Sequence, residues 1–474
     1  MSRSYSEFVR VDDHGQLRVD GVAAADLADA FGTPLYVITE QQIHANMRAI
    51  TSAFRRHYPR TEILFANKAN NNPSVRTVFS QAGAGGDCFG YNELYLSILG
   101  GANPDLLVLN GSNKQEPELA LAIEVGATVS LDNLEELESV ETTARRMATQ
   151  ARVQPRTRLE LQSLDGVVSD WPKGIPIGPG ARGHKFGMHY EDVLESCRRA
   201  RASEWLDLVG LHHHVGRWTN DPLLLETVVR EQVEWVARLR DALNWSPRQL
   251  DMGGGLAWGR PEGHGPDASD RTAPDYGAYA EAMVGALKAA LARFDLEEPL
   301  LLLEPGRALA SNIGILLSRV GVVKKWPGHK TWVNVDASQN HLPNILSANW
   351  YYHAVAVADA DPDPAKLEEV DLVGPLCTFD VMGAGRAMPR LKRGDLVAFL
   401  DTGAYGETKA ALFNAQPRPA TVLVNGEQAD VITERETLQD ILGRFRIPPR
   451  LLTGRRALLT EEAGAELAGA AAGR

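Results

Sequence analysis

Cysteine is scarce in this chain: Cys88, Cys197 and Cys377 are the only three in 474 residues. So few scattered thiols exclude a disulfide framework or a cysteine-rich zinc site, and they suit a reducing compartment. Long apolar runs are lacking too. No stretch approaches the roughly 18–20 apolar residues of a membrane helix, and the start, MSRSYSEFVRVDDHGQLRVDG, has no apolar signal core. A cytoplasmic protein without a membrane partner is expected. Positive charge is in deficit, with 49 Lys+Arg against 61 Asp+Glu and a net charge of -12. That argues against a sequence-independent nucleic-acid binder, which needs a basic footprint. What the chain does have is length and 44% hydrophobic residues, enough to bury a core and make two domains.

Short β-favouring runs alternate with helix-like segments through about residue 305, the pattern of parallel strands joined by helices. After a first segment, Leu35–Ile38, eight strands are predicted: Glu62–Ala66, Gly86–Cys88, Leu106–Leu109, Thr128–Leu131, Arg158–Leu161, Leu208–His212, Gln249–Met252 and Leu300–Leu303. Eight such units make a TIM-type (β/α)8 barrel, expected over residues 34–307. Beyond it, runs such as Leu316–Lys324, Thr331–Asp336, Lys366–Val373, Asp395–Leu400 and Ala420–Val424 predict a β-rich barrel or sandwich. That domain is expected to combine residues 1–33 and 308–455, leaving 456–474 as a tail. Two Gly/Pro-rich connections, Ser169–His184 and Trp258–Asp275, are either lids or solvated linkers.

Chemistry-bearing residues fall just after predicted barrel strands: Lys68, Asp87, His212–His214, Gly253–Gly255, Glu304 and Arg307. Strand ends meet at one mouth of a barrel, where active sites form. Most lysines after strands are simply solvated. At a barrel mouth, partial burial would lower the pKa of Lys68 and permit Schiff-base chemistry. Gly253, Gly254 and Gly255 mark a tight strand exit or a phosphate cradle of backbone N–H groups. Arg307 would add a charge-assisted phosphate contact. Glu304 ends a buried apolar strand and needs a partner, either Arg307 or a protonated pyridine nitrogen. Strand alternation puts His212 and His214 on one face and His213 on the other. Two histidines fall short of a catalytic zinc site, so no metal is expected and an imidazole stacked on a flat ring is favoured.

In order, the chain carries FANKAN, GGDCFGYNEL, NGSNK, KFGM, GLHHHVG, DMGGGLA, EPGRA, VDASQN, GPLCTFD and GAYGETKAALFNAQPRPATVLV. From about Thr33 to Val424 it resembles the fold type III pyridoxal-phosphate decarboxylases, which include diaminopimelate, ornithine and arginine decarboxylases. The resemblance implies pyridoxal 5'-phosphate carried by Lys68, with Asp87 and Glu93 nearby and His214 stacked on the ring. It implies Gly253, Gly254, Gly255, Arg307 and Tyr405 on the phosphate, and Glu304 on the ring nitrogen. It also implies a homodimer with shared active sites, in which Cys377 from one subunit serves as proton donor in the other.

Departures from the family pattern bear on substrate. Arg217 stands where a serine touches phosphate, and Thr378 and Phe379 follow Cys377 in place of an acidic residue. Arg217, Thr378 and Asp380 are the candidate substrate contacts. Asn344 and Ala348 occupy the positions of an arginine and a tyrosine that grip the distal substrate carboxylate, and Glu160 takes the place of a strand-five arginine. Losing such partners removes several kcal/mol of binding. GPLCT is similar to relatives that act on modified or carrier-linked amino acids. The expectation is therefore an amino acid decarboxylase of specialised metabolism, with meso-diaminopimelate decarboxylase as the alternative. An amino acid racemase, a non-catalytic decarboxylase-like regulator and a metal-dependent hydrolase are competing classes.

Overall fold

The computed structural model describes residues 4–169, 174–216, 220–258, 275–348 and 350–451. Parallel strands Thr61–Ala66, Gly85–Phe89, Leu107–Asn110, Thr128–Leu131 and Ala151–Pro155 pair in sequence order. Leu206–Leu208 pairs with the fifth strand, while Gly210–His212 pairs with Gln249–Asp251. Val209 sits between them, its N–H donating to Val153 O and its carbonyl accepting from Gln249. The two pieces are thus one sixth strand that turns from one neighbour to the other. Leu300–Leu303 then joins Gln249–Asp251 to Thr61–Ala66, closing an eight-stranded barrel with helices outside.

Two expectations need correction. The fifth strand is Ala151–Pro155, not Arg158–Leu161. Its inward side chains are polar: Gln154 is buried, bonds Asp251 and accepts from Gln249. Polar groups facing a barrel interior hide the apolar signature by which strands are recognised. Glu160 therefore lies beyond that strand, where its N–H donates to Glu231. The second correction concerns Leu35–Thr39, placed with the barrel by the boundary at residue 34. It pairs antiparallel with Gly314–Lys325 and parallel with Ala420–Asn425, in the β-rich sheet.

That sheet runs Val381–Met388, Glu368–Val373, Thr331–Val335, Gly314–Lys325, Leu35–Thr39, Ala420–Asn425, Gln428–Thr433, with Leu396–Leu400 also pairing Gly314–Lys325. The N-terminal segment forms a three-stranded antiparallel sheet, and Leu17 N–H donates to Val357 O of the β-rich domain. The 456–474 tail and the centre of the Trp258–Asp275 connection lie outside the described residues. In the other long connection, helix Ile177–Arg182 buries Ile177 in the barrel core, so that segment is more than a solvated linker.

Inside the barrel, Leu64, Val108 and Leu302 form an apolar plug. Side chains on a strand return to the same face every second residue. Two positions further along, the same faces carry Ala66, Asn110 and Glu304. The plug thus closes the barrel below a polar layer at its mouth. Asn-rich residues lock the β-rich domain over that mouth. Asn70 Nδ2 donates to Gly403 O at 3.0 Å, Asn72 Nδ2 to Thr433 Oγ1 at 2.8 Å, and Tyr405 N–H to Ala69 O at 2.7 Å. Asn72 also caps helix Pro73–Gln81, accepting from Ser74 N–H, with Pro73 where no N–H is needed.

Candidate active site

Lys68 leaves the first strand in a single 3-10 turn, Asn67–Ala69. Its side chain is 35% exposed, enough to meet a small molecule, and Nζ donates to buried Asp87 Oδ2 at 2.5 Å. Asn110 Nδ2 bonds both Asp87 Oδ1 at 2.8 Å and Glu304 Oε1 at 2.7 Å. One amide therefore spaces two buried carboxylates that would otherwise repel. His212 Nε2 lies 3.4 Å from Glu304 Oε2, and its Nδ1 is 2.7 Å from Ser130 Oγ.

These contacts set the charges. Burial works to lower the Lys68 pKa, but Asp87, Tyr405 and Glu304 outweigh it and hold the amine above its ordinary value. The expectation of a lowered pKa is thus reversed, because Asp87 pairs with the amine. Burial would raise Glu304, but His212 and the Lys68 ammonium beside it overcome this and keep the carboxylate ionised. Burial lowers the His212 pKa, and the neighbouring Glu304 carboxylate works against it. Asp251 goes the other way, pushed up by burial and then by Glu304. Glu93 accepts from Phe89 N–H at 2.8 Å, and burial raises its carboxyl to about 7.

Gly253 and Gly255 have φ of +65° and +93°, a region that only glycine adopts without strain. A Cβ on Gly253 would meet His213 O at 2.6 Å, and one on Gly254 would meet Glu304 O at 2.3 Å. Gly254 N–H donates to His214 Nδ1 at 2.9 Å, which orients that ring. Burial, with Lys68 and Arg156 adding to it, keeps His214 neutral. His213 points elsewhere: its Nδ1 is 3.0 Å from Thr157 O, as strand alternation predicts.

Lys68, His214, Gly255, Glu304, Arg307 and Tyr405 converge on one cavity of about 380 Å3. Glu304 is paired with His212 and Asn110 rather than Arg307, whose guanidinium stacks 3.7 Å over the Trp350 ring. His212, Asp251 and Glu304 each offer an atom within 4.8 Å of the others. Asp251, however, already accepts from Gly253 N–H at 3.0 Å and from Gln154 Nε2 at 3.2 Å, so both of its oxygens are engaged by the protein.

Other candidates fall away from this cavity. Cys377 and Thr378 are exposed and do not line it. Asp380, a candidate substrate contact, is buried, and its carboxylate accepts from the N–H groups of Gln339 at 2.8 Å and Leu376 at 2.9 Å. It shapes the loop that carries Cys377, which corrects the substrate assignment within this chain. Arg217 lies outside the described residues. Asn110, Ser130, Gln154, Arg156 and Lys409 were missed. The NGSNK motif, starting at a strand end, was the available signal for Asn110, and the GAYGETKAALF string holds Lys409; Ser130, Gln154 and Arg156 stand in no quoted motif.

The donor set fits a phosphorylated pyridine aldehyde. It has an amine for the aldehyde, an ionised carboxylate for a ring nitrogen, a flat neutral imidazole, and a glycine loop beside an arginine for phosphate. Residues 41–311 match the family described as "Pyridoxal-dependent decarboxylase, pyridoxal binding domain". The chain belongs to this family. Its cofactor is pyridoxal 5'-phosphate, and it is an amino acid decarboxylase. It is 33% identical over 449 residues to the diaminopimelate decarboxylase of Archaeoglobus fulgidus, covering 92% of this chain and 99% of the relative. The Methanothermobacter thermautotrophicus diaminopimelate decarboxylase is 30% identical over 457 residues, covering 94% and 99%. The solved M. jannaschii diaminopimelate decarboxylase in co-complex with L-lysine superposes with a TM-score of 0.86 at 29% identity, covering 95% of this chain and all of that one.

The pyridoxal-dependent decarboxylase site permits a sharp test of its loop. Gly254→Ala should weaken pyridoxal-phosphate retention roughly tenfold or more, because the new methyl must displace Glu304 O or the loop. Equilibrium dialysis reads this directly.

Proposed function

We propose that this decarboxylase acts on meso-diaminopimelate, releasing carbon dioxide and leaving lysine. The observation that carries the reading is similarity to diaminopimelate decarboxylases over more than nine-tenths of the chain, with the Lys68, Glu304 and His214 site intact. It is preferred to the specialised-metabolism reading, whose support is confined to GPLCT and the altered substrate positions. The intact site also speaks against a non-catalytic regulator, and the relatives against a racemase.

The bound cofactor supplies an aldehyde for the substrate amine and a ring that accepts the electrons of the breaking carbon–carboxylate bond. Lys68 would hold the cofactor through its amine until substrate arrives, and Asp87, bonded to Lys68 Nζ, would fix the position of that nitrogen and could take up its proton. Glu304, ionised and fixed by Asn110 and His212, stabilises positive charge on a ring nitrogen. His214 packs as an uncharged plane oriented by Gly254. Holoenzyme should release carbon dioxide from meso-diaminopimelate much faster than from L-lysine or L-ornithine. Equal or absent release from the first would reject this substrate.

The proton donor is Cys377 of a second copy, in a homodimer. Cys377 sits on an exposed loop whose tip, Phe379, is 97% exposed. A fully exposed phenylalanine beside a candidate donor suits burial against a partner subunit. Mixing inactive Lys68→Ala and Cys377→Ala subunits should restore a fraction of the activity, because one of the two mixed sites is intact. No recovery after verified subunit exchange would place the cysteine outside the neighbouring site.

A further inference from the structure

We propose that Lys409, steadied by Asn344, binds a carboxylate at the far end of the substrate side chain; this rests on the diaminopimelate reading above. The barrel side of the cavity is accounted for by the cofactor. The β-rich domain lines the remainder, with Asn344 and Ser347 on the short helix Asn344–Ala348 and Lys409 closing the 3-10 turn Glu407–Lys409. None of these groups is among the candidate cofactor contacts, Lys68, His214, the glycine loop, Glu304, Arg307 and Tyr405.

Lys409 Nζ donates to Asn344 Oδ1 at 2.6 Å and Ser347 Oγ at 3.2 Å. An ammonium has three N–H bonds, so one remains. Asn344 Oδ1 also accepts from Ser347 Oγ at 3.4 Å, and Asn344 Nδ2 has no acceptor among the described residues. No carboxylate of the described residues forms an ion pair with Lys409. Lys409 is exposed at the cavity, and the partial burial of its head group lowers its pKa with no charged neighbour contributing. A cation and an amide donor thus share one cavity wall that supplies no anion. An acceptor-only, negatively charged group satisfies both, and a carboxylate is that group on an amino acid substrate. The positive charge expected at position 344 stands instead on residue 409, against the Asn344 side chain.

The test uses holoenzyme and two ligands that differ only in the distal carboxylate, L-2-aminoheptanedioate and L-2-aminoheptanoate. Binding is followed through the change in cofactor absorbance. Wild type should favour the diacid by about ten- to a hundredfold, the range of a charge-assisted contact. Lys409→Met should bring the ratio close to one while keeping the cofactor, and Lys409→Arg should retain most of the preference. Lys409→Gln replaces the methionine variant if the latter fails to fold. A Lys409→Met enzyme with the wild-type ratio would overturn the proposal. So would one that loses cofactor on dialysis, since Lys409 would then serve the phosphate. The diaminopimelate reading fails separately. Wild type that discriminates between the pair but releases no carbon dioxide from meso-diaminopimelate would keep Lys409 in its role with another diacid.

Discussion

Lys68→Ala should lower carbon dioxide release by roughly 10³-fold or more, since a covalent anchor and its amine vanish together. Visible absorbance from lysine-bound pyridoxal phosphate should be lost as well, while the fold persists. The side chain is 35% exposed at the cavity, and its removal leaves no large void. Asp87 would lose its cation. Burial and Glu304 already raise Asp87, so in the variant its carboxyl takes up a proton more readily. Near-normal turnover in Lys68→Ala would remove this residue from the chemistry.

Glu304→Gln should cost about 10²–10³ in kcat with much of the cofactor retained, the scale of losing one preorganised electrostatic partner. An amide of the same shape can still accept from Asn110, but it brings no negative charge to a ring nitrogen. The glycine loop, Arg307 and Lys68 are untouched, so binding and turnover should separate. The absorbance of the bound cofactor should shift as its ring nitrogen loses its proton. A variant with unchanged kcat would show that the carboxylate only fills space between His212 and Asn110.

Legibility in the sequence followed physical lines. Strands with an apolar interior stretch, such as Leu300–Leu303, declared themselves, and so did the residues just beyond them, Lys68, Glu304 and Arg307. Ala151–Pro155 did not, because its inward Gln154 serves a polar network rather than the apolar plug. Leu35–Thr39 was legible as a strand but not as to its sheet, since its partners lie near residues 315 and 422. Pairings that distant leave no local signal. Asn110 and Ser130 matter through their contacts with Glu304 and His212, and those contacts exist only once the barrel closes. Lys409 stands in a quoted motif, but its contact was hidden for the same reason: its partner Asn344 is 65 positions away. Asp380 shows the reverse case, an acidic residue near a motif cysteine whose carboxylate is consumed by backbone N–H groups.

The most direct test is to load the purified protein with pyridoxal phosphate, reduce it with borohydride to fix the aldehyde on its lysine, and map the modified peptide by mass spectrometry. The account predicts a stoichiometric label on Lys68. A label on Lys114, Lys409 or any other lysine, with Lys68 unmodified, would contradict it.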